Sequence, residues 1–175
     1  MTKLKKSKNN KNILVISLGD PAGIGTEITL KALGSNRLNK NIKPLLVGCQ
    51  NNIYKTYLKL IDHGLNNIPD PDDLEIIDIP LEEKVIPGRV DKNSGSASFN
   101  WLYNATNIVL DGKANALVTA PISKIAWHKA GHKFAGQTEL LGKLTNKKTS
   151  MLFTAISPNN GWRFNTLLAT THIPL

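Results

Sequence analysis

The feature that most constrains this chain is the way short β-branched runs alternate with helix-like segments. The run "ILVISL", Ile13 to Leu18, is apolar on nearly every successive residue and is bounded by Gly19. A strand of that kind is buried on both faces, which requires a sheet covered on both sides. "TEITLKAL" follows with Ile28, Leu30 and Leu33 at helical spacing, Thr26 as the expected N-cap and Gly34 as the stop. "KPLLVG" then reads as a second strand and "NNIYKTYLKLIDHG" as a second helix ending at Gly64.

From Asn66 to Asn93 the pattern loosens around "PDPDD", which is turn chemistry, and "LEIIDI", which reads as a strand. A long helix follows in "SGSASFNWLYNATNIVLDG", stacking Ala97, Trp101, Ala105 and Ile108 on one face and stopping at Gly112. "ALVTAP" is the next strand, closed by Pro121, and "SKIAWHKAG" a short helix capped by Ser123. A further helix, "TELLGKL", begins at Thr138, and "SMLFTAI" and "RFNTLLATT" are strands. Strands alternating with helices predict an α/β fold with a largely parallel sheet and flanking helices over residues 13–175.

In open parallel sheets, ligands bind outside the strand carboxyl ends, where helix N-termini and loop amides converge. Gly19-Asp20, Thr119-Ala120-Pro121 and His172 each follow an expected strand, and so are predicted to share that end of the sheet.

Gly19, Gly23 and Gly25 do not have the G-x-G-x-x-G spacing, and no Lys-Ser or Lys-Thr follows to make a P-loop. What remains is a tight turn in which Pro21 fixes one φ and Asp20 can accept amide hydrogens. It serves equally well as a strand-to-helix connector or as a ligand loop.

His172, in "TTHIPL", is presented from a strand end on backbone stiffened by Pro174, which suits a metal ligand. One imidazole does not make a catalytic zinc site, which usually takes three protein ligands. His128 and His132 are expected at the surface, because Gly131 ends the helix between them and no H-E-x-x-H is present. Gln137, Thr138 and Glu139 fall at a helix start, where free backbone N–H groups can meet an anion, although capping by Thr138 would also account for them. Lys124 follows a strand-ending turn and is placed to reach a phosphate, or to remain solvated.

The net charge of +9 invites a nucleic-acid reading. Five of those charges belong to Lys3, Lys5, Lys6, Lys8 and Lys11, so the excess sits in a basic tail over residues 1–12, expected to be frayed. That tail has neither the apolar core of a secretory signal nor the pattern of a transit peptide. A basic module binding nucleic acid through this tail is a weak alternative, because interleaved aromatics and a reading motif are missing. The single cysteine, Cys49, excludes an internal disulfide framework and is expected to be buried. No apolar run approaches the roughly 18 residues of a membrane span, so a cytoplasmic location is expected.

Taken in order, "GDPAGIGTEI", "LVTAPISK", "AGHKFAGQTELLG" and "TTHIPL" resemble the 4-hydroxythreonine-4-phosphate dehydrogenase family of pyridoxal 5′-phosphate biosynthesis. The resemblance implies an isocitrate/isopropylmalate-dehydrogenase-like fold, here incomplete, since it covers this chain but only the front half of the family. It also implies a homodimer whose active site is shared between subunits, a small phosphorylated substrate, NAD, and a divalent metal (Zn, Mg or Co). The metal in that family is held by three histidines from both subunits, of which His172 corresponds to the first. The family's usual G-H-T-E becomes Gly136-Gln137-Thr138-Glu139 here, so substrate contact falls to Gln137 and Thr138. A glutamine amide donates a hydrogen bond but cannot act as a general acid. Asp20 and Lys124 are further expected cleft residues, and no catalytic residue is assigned. A sister dehydrogenase of four-carbon sugar-acid phosphates, or a phosphate acyltransferase without NAD, are alternatives within the superfamily. A chain confined to this half is expected to be inactive alone.

Overall fold

The computed structural model describes residues 12–35 and 39–169, which fall into two compact units, 1–133 and 134–175. Most of the basic tail and His172 lie outside the described residues.

The first unit is built on four parallel strands: β1 (Asn12–Ser17), β2 (Ile42–Gly48), β3 (Glu75–Asp78) and β4 (Ala116–Thr119), in the order β3-β2-β1-β4. β1 begins at Asn12, which the sequence pattern assigned to the tail. α1 (Gly25–Gly34) and α2 (Gln50–Asp62) make the first two crossovers, and α3 (Lys92–Leu110) the third. The first two crossovers step one way along the sheet and the third returns past β1. Right-handed connection therefore puts α1 and α2 on one face and α3 on the other. α1 packs on α2, and α3 on β1, β2 and β4. A short helix, α4 (Lys124–Lys129), packs against α3.

Double coverage explains the unbroken apolar character of "ILVISL". Val15 and Leu18 are wholly buried, and they share a core with Leu30 of α1, Ile53 of α2 and Trp101 and Ala105 of α3. Pro44 lies inside β2, where its lack of an N–H removes one ladder hydrogen bond. It is paired with Leu14 of β1, and β3 starts to pair with β2 only at Leu45.

Two of the helix starts follow local chemistry. Asp91 caps α3 by accepting from the N–H groups of Asn93 and Ser94, and Ser123 caps α4 through Ala126 N–H. Thr26, expected as the N-cap of α1, is not its cap. The helix starts at Gly25, two residues earlier than that cap would set, Ile24 takes the cap position, and Thr26 is buried in the first turn with Asn52 Nδ2 donating to its Oγ1 at 3.2 Å. A tertiary partner replaced the local one.

The second unit holds α5 (Gln137–Thr145) and the strands β5 (Leu152–Ile156) and β6 (Arg163–Leu167), which pair antiparallel with each other. α5 ends at Asn146 in the left-handed region, φ +51°, a conformation asparagine tolerates. Lys143 sits 5.4 Å from the centre of the Phe134 ring.

Candidate active-site crevice

β1 connects towards β2 on one side, while β4 lies on its other side, so the strand order reverses between β1 and β4. At such a switch point the loops leaving the two strands part in opposite directions and open a crevice at their carboxyl ends. Both distinctive loops meet there. Asp20 N–H donates to the Pro121 carbonyl at 2.9 Å, and Ala120 N–H to the Ser17 carbonyl at 2.9 Å. The two loops are stitched into one floor.

Gly19 makes the stitch possible. Its φ is +71°, and a Cβ there would lie 2.2 Å from the Pro121 carbonyl oxygen. No side chain fits, and the left-handed backbone disfavours one in any case.

Asp20 is only 6% exposed. Its Oδ1 accepts the Ala22 N–H at 2.8 Å. Burial pushes this carboxyl above its ordinary value of 3.8, while the Ala22 N–H and the Ser94 side chain favour its charged form and nearby Asp91 adds to the rise. Asp20 is thus a buried residue that fixes its own turn through Ala22 and ties it to the β4–α4 loop through Pro121. Its neighbours Pro21 and Gly23, by contrast, line a groove of about 920 Å³.

That groove runs across the carboxyl ends of β1, β2 and β3, with Thr26 from α1 and Asn52 and Lys55 from α2 along its walls. Residues 80–85 close its far side. The loosely patterned segment is held by specific bonds: Gly88 N–H donates to the Ala22 carbonyl at 2.7 Å, and Trp101 Nε1 to the Ile79 carbonyl at 3.1 Å. The first of these ties the excursion directly to the glycine turn. Asp78 Oδ1, at the end of β3, accepts from Gln50 N–H at 2.8 Å and so serves the start of α2 from a distant part of the chain.

Lys124, the first residue of α4, is exposed. α4 itself is fixed firmly. Gly95 lets α3 approach so closely that a Cβ there would lie 2.0 Å from the Ala126 carbonyl, and Trp127 Nε1 donates to Ser98 Oγ at 2.8 Å. His132, expected at the surface, is half-buried instead, stacked on Phe99 with ring centres 3.6 Å apart. Burial lowers its basicity from the ordinary 6.5. An aromatic neighbour on another helix, 33 residues before His132 in the chain, is invisible to local spacing. His128 is exposed, as expected.

Gln137 and Thr138 occupy the first two positions of α5 in the second unit. Gly136, with extended backbone at φ 175°, precedes them, and no side chain caps the helix. Thr138 is therefore not the cap, and its carbonyl accepts from Thr149 Oγ1 at 3.5 Å. Glu139 Oε2 is buried without a hydrogen-bond partner among the described residues. Glutamine, threonine and the amides of a helix's first turn can together hold an anion. Asp20 and Lys124 belong to the first unit and Gln137 and Thr138 to the second.

Sequence reasoning missed Ser94, Asp91 and the 80–88 segment. The Asp91-x-x-Ser94 spacing was a legible helix start, but its closeness to Asp20 follows only from the crossover.

Among the described residues, no group of three or more His, Cys, Asp or Glu side chains is placed to hold a metal. No helix there is long and apolar enough to cross a membrane. Cys49 is buried, as expected.

The family model for the pyridoxal phosphate biosynthetic protein PdxA matches residues 40–175. A relative from Synechococcus sp. (strain RCC307), named 4-hydroxythreonine-4-phosphate dehydrogenase, is 55% identical over 163 residues, covering 93% of this chain and 49% of the relative. A relative from Pectobacterium atrosepticum, named D-threonate 4-phosphate dehydrogenase, is 37% identical over 147 residues, covering 78% and 45%. The crystal structure of a 4-hydroxythreonine-4-phosphate dehydrogenase from Klebsiella pneumoniae superposes with a TM-score of 0.73 at 29% identity, over 97% of this chain and 53% of that one. The chain spans about half the length of the curated relatives it matches. With the parallel sheet, the switch-point loops and these matches together, the chain belongs to the PdxA family of pyridoxal phosphate biosynthetic dehydrogenases.

Proposed function

We propose that the complete protein oxidises 4-phosphooxy-L-threonine (4-hydroxythreonine 4-phosphate) with NAD and a divalent metal and decarboxylates the product to 3-amino-2-oxopropyl phosphate, as a cytoplasmic homodimer. The observation that carries this reading is the 55% identity, across 93% of the chain, to a relative named for that substrate. In the proposed reaction the substrate's 3-hydroxyl becomes a ketone as the C3 hydride passes to NAD+ and the hydroxyl proton is released; the carboxylate then leaves as CO2, and the carbon it leaves takes up a proton. NAD supplies the hydride acceptor. What this chain contributes is binding and orientation.

The first turn of α5, with Gln137 and Thr138, is suited to the substrate phosphate, because its N–H groups have no intrahelical acceptor and the helix dipole favours negative charge there. Gln137 donates through its amide and carries no titrating proton. Asp20 acts here as a positioning residue that fixes the crevice floor. The described residues do not by themselves fit a metal, and no step is assigned to one. In this reading His172, outside the described residues, supplies a ligand and the others come from beyond this chain, so the 175-residue chain alone is inactive.

A second reading, oxidation of D-threonate 4-phosphate, is supported by the Pectobacterium relative. Both substrates are phosphorylated four-carbon hydroxy acids, so the same phosphate site serves either. The test is to assay the chain extended to full family length with NAD and each substrate, following absorbance of NADH. Reduction with 4-phosphooxy-L-threonine is expected. Reduction with D-threonate 4-phosphate alone would select the second reading, and none with either would remove the dehydrogenase assignment.

A further inference from the structure

The connection from β3 to α3 includes a stretch bounded by two prolines, Pro80 and Pro87, and it is fixed to the first unit just outside each of them. Ile79 N–H donates to the Gly48 carbonyl at 2.9 Å, and the Ile79 carbonyl accepts from Trp101 Nε1 at 3.1 Å. At the other end Gly88, with a left-handed φ of +76°, donates to the Ala22 carbonyl at 2.7 Å. Between these anchors little holds the chain. Among the described residues no backbone N–H from Leu81 to Ile86 donates a hydrogen bond, and the one side-chain bond to this stretch runs from Asn93 Nδ2 to Glu83 Oε2 at 2.8 Å. Backbone without ladder or turn hydrogen bonds shifts at low cost. There is also room on both sides of it. Residues 80–85 wall the groove of about 920 Å³, and residues 79–83 also wall a second pocket of about 210 Å³, lined on its α3 side by Asn93, Ser96, Ala97 and Trp101. Pro80 to Glu83 therefore stand as a thin partition between two voids, where a packed interior would leave none.

We infer that Pro80 to Pro87 is a movable strap. In the position described it narrows the groove, and by swinging back into the 210 Å³ pocket it opens the groove across the carboxyl ends of β1, β2 and β3. The prolines stiffen its two ends, and Gly88 supplies a backbone joint free of Cβ restraint. The bond between Glu83 and Asn93 is the latch, because a 2.8 Å contact is made in one position only. Half-buried Leu81, which lines both voids and packs on the core, is the part of the strap that changes pocket. The inference concerns how the groove opens and does not rest on the proposed reaction.

Cys49 makes the motion measurable. It is the single cysteine of the chain, it is 5% exposed, it lines the groove, and it follows Gly48, whose carbonyl anchors the strap. Its rate of reaction with the neutral thiol reagent dithiodipyridine, measured on the 175-residue chain, reads how often the groove opens. The parent rate is expected to stay flat in urea well below the unfolding transition, because a strap movement exposes little surface whereas unfolding exposes much. Ala97→Leu fills the pocket behind the strap and should slow labelling at least about fivefold, since a retreating strap would then overpack. Asn93→Ala removes the latch, leaves the Asn93 N–H bond to Asp91 in place, and should speed labelling about fivefold, the worth of one modest hydrogen bond. A parent rate that climbs with urea from the outset overturns the inference, because Cys49 would be reached only by unfolding. So does an unchanged or faster rate in Ala97→Leu, because the strap would be moving out into water or not at all, and so does an unchanged rate in Asn93→Ala. If Ala97→Leu lowers the melting temperature by more than about 5 °C, Ser96→Leu fills the same pocket from the next position and decides the point by the same reading.

Discussion

Replacing Gly19 by alanine tests whether the two switch-point loops form one rigid floor. A left-handed φ of +71° costs an L-residue about 1–2 kcal/mol. The new Cβ would also lie 2.2 Å from the Pro121 carbonyl oxygen and 2.9 Å from the Ala120 carbonyl carbon, both backbone atoms, so the β4–α4 loop must move. That carbonyl is the acceptor for Asp20 N–H at 2.9 Å, and leaving a buried amide unsatisfied costs about 1–3 kcal/mol. Together the loss is about 2–5 kcal/mol, in the upper range for a single substitution. Urea unfolding followed by tryptophan fluorescence reads it directly, because Trp101 and Trp127 are both wholly buried in the same unit. The midpoint should fall with an unchanged slope. Gly23→Ala is the control: it lacks a left-handed φ, its nearest contact is 3.3 Å, and it should cost less than about 1 kcal/mol. A Gly19→Ala protein within about 0.5 kcal/mol of the parent would refute the geometry argued for the crevice floor.

Three further outcomes are expected. Asp20 has a raised folded-state pKa, so its native form holds a proton more tightly than the unfolded chain does, and stability falls as pH rises from 3.8 through the raised value. Asp20→Asn keeps an acceptor for Ala22 N–H and should flatten that part of the pH–stability curve relative to the parent, and identical curves would exclude the burial argument. His132 has a lowered folded-state pKa, so its contribution is full above 6.5 and is lost as pH falls below it. His132→Phe retains a flat ring against Phe99 and should remove this acid-side loss, measured by thermal melts at several pH values. In the full-length enzyme, Gln137→His should make KM for the phosphorylated substrate vary several-fold between about pH 6 and 8, where the parent is flat, because an imidazole titrates in that range and an amide does not. A pH-independent KM in the variant would place residue 137 away from the phosphate.

The alternation of runs such as "ILVISL" and "KPLLVG" with helical spacing made the parallel sheet legible, since a strand apolar on both faces has few other homes. The stops at Gly34 and Gly112 and the cap at Ser123 were local chemistry and read as such. Thr26 read wrongly because its partner, Asn52, lies on another helix. The stack of His132 on Phe99 was hidden for the same reason.

The candidate site divides along that line. The glycine turn, the Thr-Ala-Pro turn and the Gln137-Thr138 helix start were each visible as short-range backbone signals, and their order along the chain carried the family. Only the tertiary structure decided that the first two turns lock together through Asp20 and Pro121, that Asp20 is buried, and that residues 80–85 close the far side of the groove that Pro21 lines. Backbone conformation is governed by neighbours in sequence, whereas burial and electrostatics are set by whatever the crossovers bring alongside. A sequence therefore announces its turns well before it reveals which of them will touch.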